Sequence, residues 1–72
     1  MQTIIEIRRH REGWEAFEAL GVEPYFGEKR EALDYAMERM RSRTGQIHVF
    51  DAAGNAENVI PFTRDRPPRP LV

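Results

Sequence analysis

Few side chains in this sequence could do covalent or metal chemistry. His10 and His48 are the only imidazoles, Ser42 is the only serine, Lys29 is the only lysine, and there is no cysteine. A metal site would need both histidines to converge with a carboxylate such as Glu12 or Asp51. Their positions form neither a His-x-His nor a His-x-x-x-His pattern. Nucleophilic catalysis needs an activated hydroxyl, thiol or amine. Ser42 falls at the end of a helical pattern, and no nucleophile-elbow or lysine-dyad spacing surrounds it. Glycines 13, 21, 27, 45 and 54 stand apart and build no phosphate-cradling loop. The carboxylates Asp34 and Glu38 fall on an exposed helix face. The expectation is a protein with no catalytic centre, no metal and no cofactor.

What remains is surface chemistry, which depends on the elements that carry it. Residues 3–10 alternate, with Ile5 and Ile7 set against Glu6 and Arg8, as in a half-buried strand. Glu12-Gly13 reads as a turn. Residues 14–20 have helical propensity, but a seven-residue helix is marginal. The turn before them favours a return strand, with Trp14 and Ala16 on one face and Phe17 on the other. Pro24-Tyr25-Phe26 suits a short edge strand or extended loop. Residues 28–42 are helical, with Leu33, Ala36, Met37 and Met40 as the apolar stripe. Glu28 and Glu31 open this helix, while Arg39, Arg41 and Arg43 close it, in keeping with its dipole. Gly45 is its stop. Residues 46–51 and 57–62 form two more strands around the turn Ala52-Ala53-Gly54-Asn55, and Pro61 marks an edge.

The order is ββ(β)αββ, an α+β two-layer fold with one helix on one face of a small, mainly antiparallel sheet. Residues 1–62 are read as one domain. Residues 63–72, rich in Arg and Pro, are read as a flexible tail. The tail contains Arg64-x-x-Pro67-x-x-Pro70, which formally matches a ligand for an SH3-like groove.

One helix can cover only one face of the sheet. If Ile5, Ile7, Ile47 and Val49 face the helix, alternation turns Ile4, Glu6, Arg8, His10, His48 and Phe50 to the other side, joined by Phe17. An apolar patch there calls for a partner. The leading expectation is a non-enzymatic interaction module that forms a homodimer or binds another protein through this face. The alternative is single-stranded nucleic acid stacked on Phe17 and Phe50 and held by Arg8, Arg11 and the tail. Tyr35 is a second candidate contact. It lies about 140° from the centre of the apolar stripe, on the exposed side beside Arg30 and Arg39.

Composition agrees with this reading. The 72 residues hold 11 cations and 12 anions, a formal net charge of −1. That balance and a pI near 6.1 argue against a bulk nucleic-acid or membrane binder. A chain this short buries only about 60% of the surface its unfolded form exposes. Such cores yield roughly 3–5 kcal/mol, and with disulfides excluded, oligomerisation is the remaining support. No apolar run approaches the ~20 residues of a membrane span. No signal peptide is expected, and a cytoplasmic location follows.

The residues Gly13-Trp14 after a first strand, then Phe26-x-x-Lys29-x-Glu31-Ala32-x-x-x-Ala36, then Ile47-x-Val49-x-Asp51-x-x-Gly54, resemble a family of short bacterial and phage proteins catalogued as a domain of unknown function. The resemblance covers roughly residues 4–62. It departs at Arg9, where the family usually has proline. It implies the ββ(β)αββ fold and a strand at residues 14–20, and it carries no catalytic or binding residues.

Overall fold

The computed structural model describes residues 2–63. The expected tail therefore lies, apart from Thr63, outside the described residues. The elements run β1 (Thr3–His10), β2 (Gly13–Phe17), β3 (Tyr25–Phe26), α1 (Lys29–Arg39), β4 (Gly45–Phe50) and β5 (Ala56–Phe62). They make one five-stranded sheet in the order β3-β2-β1-β4-β5. Three neighbour pairs are antiparallel, and the central pair, β1 with β4, is parallel. Parallel neighbours need a long crossover, and β2, β3 and α1 together supply it. The fold is α+β with the helix packed on one face of the sheet.

Register decides the faces. Ile5 stands opposite Ile47, Ile7 opposite both Val49 and Ala16, and Gly45 opposite Phe62. These residues join Trp14, Ala32, Ala36 and Met40 in a single buried cluster. Ile5, Ile7, Met40 and Ile47 are its largest fully buried side chains.

Several sequence readings shift. The first turn is Arg11-Glu12, with Arg11 at φ 57°. Gly13 lies in β2 and serves a different need. A Cβ there would come within 2.4 Å of the Phe26 carbonyl oxygen and 2.5 Å of the Tyr25 Oη. The second strand stops at Phe17 rather than running to residue 20. The chain turns back through Gly21 at φ 87°, and Ala19 bridges Val22. The helix is shorter than 28–42. Glu28 is its N-cap, and Glu31 Oε1 accepts the Glu28 N–H at 3.2 Å. Met40 is its C-cap, and Gly45 begins β4 instead of ending the helix.

The apolar stripe is also rotated. Ala32, Ala36 and Met40 are fully buried, Leu33 is half-buried and Met37 is 39% exposed. The two alanines sit where the helix comes closest to the sheet, so bulk moves to the flanks. Tyr35 is consequently not on an exposed surface. It is half-buried, with its ring 5.5 Å from that of Phe26.

Two carboxylates fasten loops to this frame. Glu18 accepts hydrogen bonds from Arg39 and, at 3.1 Å, from Arg43. The Arg39 guanidinium holds its carboxyl below the ordinary 4.5 against the opposing effect of burial. Asp51 Oδ1 accepts the N–H groups of Ala53 and Asn55, each at 2.9 Å. The bond from Asn55 is foremost in holding Asp51 below the ordinary 3.8. Both folded values lie below the unfolded ones. Their contribution is therefore complete above the ordinary carboxylate values and is lost as the pH falls through the folded ones. The urea midpoint is expected to fall between neutral pH and about pH 3, and Glu18→Gln with Asp51→Asn should flatten that fall. An equally steep decline in the double variant would assign the acid sensitivity to other groups.

Candidate functional site

Among the described residues no element covers the face away from α1. β1 presents Ile4, Glu6, Arg8 and His10 there, β2 presents Glu15 and Phe17, and β3 presents Tyr25. From β4 and β5 come Gln46, His48, Phe50, Val59 and Pro61. Five of the six sequence-derived candidates, Phe17, His48, Phe50, Arg8 and His10, thus share one surface. Tyr35 belongs to the other layer.

The charges of this face are already paired within the chain. Arg8 donates from Nε and Nη2 to Glu15 Oε1 at 3.2 and 3.1 Å, and from Nη1 to Glu6 Oε1 at 3.2 Å. Its guanidinium carbon lies 4.2 Å from the centroid of the Phe17 ring. One cation is thereby set against two carboxylates and stacked on the aromatic ring. His48 Nε2 and Gln46 Oε1 are 2.7 Å apart. The His10 ring meets Tyr25 edge-on at 5.8 Å. Gly13, opposite His10, offers no side chain, and the Tyr25 ring crosses the lane this leaves open.

Several apolar members are accessible. Ile4 is 42% exposed, Val59 47% and Tyr25 53%, while Phe17 and Phe50 are half-buried. They fall toward two sides. Phe17, Tyr25 and Glu15 lie over β2–β3, whereas Ile4 of β1 joins His48, Phe50, Val59 and Pro61 of β4–β5 in a largely uncharged half; Glu6 and Arg8 of β1 sit on the border, Glu6 opposite His48 and both lining one hollow with Phe50.

The two imidazoles of the face do not converge. His48 is opposite Glu6, four residues before His10 on the neighbouring strand, so the imidazoles are roughly 13 Å apart along the sheet. Among the described residues no three His, Asp or Glu side chains gather as a metal site would require. Among the described residues no helix is long and apolar enough to cross a membrane.

Both sheet edges are closed to strand addition. β3 is only two residues long. On β5, Pro61 has no N–H, so its pairing with Gln46 is of the non-hydrogen-bonded kind. By alternation the pairing of Val59 with His48 is too. The backbones of Val59 and Pro61 therefore point outward. Val59 N–H is taken by Asn58 Oδ1 at 2.8 Å, and Pro61 offers no donor. This blunts a seven-residue edge that would otherwise template another strand.

Sequence reasoning placed Glu6 on this face but not its pairing, with Glu15, to Arg8, and it missed Tyr25, Val59 and Pro61. Alternation in each strand was the available signal for their faces, but the pairing register needed to join them was not. No family model, curated protein or solved structure matches this chain, so the surface is read from its own residues.

Proposed function

We propose that this chain is a small, non-catalytic protein-interaction module that self-associates through the open sheet face. The observation that carries this reading is the pairing pattern. The polar groups of the face satisfy one another, while Ile4 of β1 and Val59 of β5 stand exposed beside the half-buried Phe50. Desolvating such a surface strands little charge, and its apolar half gains from being covered.

Size supports the same reading. Five strands at ~4.8 Å, each about six residues long at ~3.3 Å, give a face of roughly 500 Å². Two fully apposed copies would bury roughly 1,000 Å², and a pair offset to overlap over β1, β4 and β5 roughly 600 Å², the size of a weak, concentration-dependent contact. A twofold contact pairs like with like. With its axis near β4, it joins the uncharged halves and leaves each Glu6–Arg8–Glu15 cluster at the rim. The blunted β5 edge favours this face-to-face mode over a continuous sheet.

The nucleic-acid alternative is weaker. Arg8, the expected phosphate contact, already spends its fork on Glu6 and Glu15, and the Phe17 ring it would leave for a base lies against its own guanidinium. Sedimentation velocity over two decades of protein concentration tests the proposal. The expected result is a monomer–dimer equilibrium, with a melting temperature that rises by several degrees per tenfold concentration. A strictly monomeric protein at all concentrations would overturn it. Binding of mixed single strands that weakens steeply with salt would favour the alternative.

A further inference from the structure

The other layer is incomplete in a different way. A helix with its side chains is about 10–12 Å across and covers little more than two strands at ~4.8 Å. This sheet has five strands, and α1 packs over β2, β1 and β3. The helix side of β4–β5 is left beside it as a groove of about 520 Å³. Leu33 of α1 forms one wall and Ile60 of β5 the other, with Val49 in the floor. Leu33 and Ile60 are half-buried against the core, so a second layer element would complete their burial. Met37, one turn beyond Leu33, continues the apolar wall at 39% exposure.

Charge selects among possible occupants. At 100° per residue, Arg30, Leu33 and Met37 fall within an arc of about 60° on the groove side of α1. Tyr35 and Arg39 lie on the opposite flank, against Phe26 and Glu18. Arg30 is exposed at the rim and has no ion-pair partner among the described residues. The one acid lining the groove, Glu57, is bound to Lys29, whose Nζ also lies 4.9 Å from the centroid of the Trp14 ring. An apolar slot with an exposed arginine at its rim, free of ion pairs among the described residues, suits an amphipathic helix with acidic residues beside its apolar stripe, docked by side-chain anchors.

We propose that the groove between α1 and β5 is a docking site for an acidic amphipathic helix of a partner protein. This site is on the layer opposite the self-association face and stands independently of it.

The probe is a synthetic capped peptide with leucines at helical i, i+3, i+4 and i+7 positions and glutamates between them. The controls are a scrambled peptide and one with lysine in place of glutamate. Methyl NMR is expected to show the glutamate peptide shifting Leu33, Met37 and Ile60, with the lysine and scrambled peptides at least tenfold weaker. Met37→Glu, at an exposed position that leaves the buried core intact, should weaken the glutamate peptide at least tenfold without changing the oligomeric state. Arg30→Glu should reverse the preference toward the lysine peptide. Equal binding of all three peptides, no binding of any, or shifts confined to Ile4 and Val59 would overturn the proposal. So would concentration-dependent shifts at Leu33 and Met37 without peptide, since these would make a second copy the occupant.

Discussion

Replacing Phe50 with glutamate is expected to turn the self-associating protein into a folded monomer. Phe50 is half-buried in the uncharged half of the open face, and its side chain points away from the α1 core. Fully burying an exposed Phe side chain contributes about 1.5–3 kcal/mol, and the interface can cover at most about a third of that surface on the half-buried Phe50. In a twofold contact each residue counts twice, so the apolar loss is about 1–2 kcal/mol. At ~1.4 kcal/mol per decade, the dimer dissociation constant should rise by roughly one order of magnitude from this loss alone. The new carboxylate adds a desolvation cost on both sides. Ile5, Ile7, Ile47 and Met40 are untouched, so far-UV circular dichroism should be retained. Melting should become independent of concentration and match the wild type at high dilution. Val59→Glu provides a second test, because a side chain 47% exposed can be replaced with little risk to folding. If both variants sediment like the wild type, the open face is not the contact.

The site was legible in the sequence as far as alternation reaches. Ile5 and Ile7 against Glu6 and Arg8, and Ile47 and Val49 against His48 and Phe50, assign each residue to a face without any knowledge of neighbours. The period of two is a local property and survives in the folded chain. Long-range facts were not legible in the same way. That Arg8 would meet Glu15 depends on the β1–β2 turn falling at Arg11-Glu12, two residues that lack the usual turn signature. That Gly13 is a clearance for Tyr25 rather than a turn residue depends on β3, a two-residue element with no periodicity.

The helix illustrates a different limit. Ranking residues by hydrophobic bulk puts Leu33 and Met37 at the centre of the stripe, but close helix–sheet approach puts the small residues there. Ala32 and Ala36 are fully buried, and Leu33 and Met37 are displaced toward the groove. That displacement also moves Tyr35 from solvent onto Phe26. The same rotation creates the apolar wall beside β5, so the second proposed site could not have been read from the bulk-weighted stripe.

The largest stability effect is expected at Gly45. This residue opens β4 in the interior of the sheet, opposite Thr3 on one side and Phe62 on the other. A Cβ there would be 1.8 Å from the Thr3 carbonyl oxygen and 2.7 Å from its nitrogen. Both atoms are backbone, so no rotamer change can relieve the collision. Alanine must drive β1 away from β4 at their common start, where Thr3 N–H donates to Thr44 O at 2.9 Å. The next inward-facing pair is Ile5 with Ile47, both fully buried, so strand separation opens the core itself. Overpacking costs about 1–3 kcal/mol and occasionally more, and each lost hydrogen bond adds about 0.5–1.5 kcal/mol. Set against the roughly 3–5 kcal/mol available to a core of this size, Gly45→Ala should remove most of the stability. Gly27→Ala is the matched control, since its Cβ would meet only Glu31 Oε1, at 3.9 Å. Its urea midpoint should stay close to that of the wild type. Amide exchange at Ile5 and Ile47 should accelerate in Gly45→Ala alone. If Gly45→Ala proved as stable as the control, Thr3 could not be packed against the first residue of β4, and the central parallel pair would have to begin further along the chain.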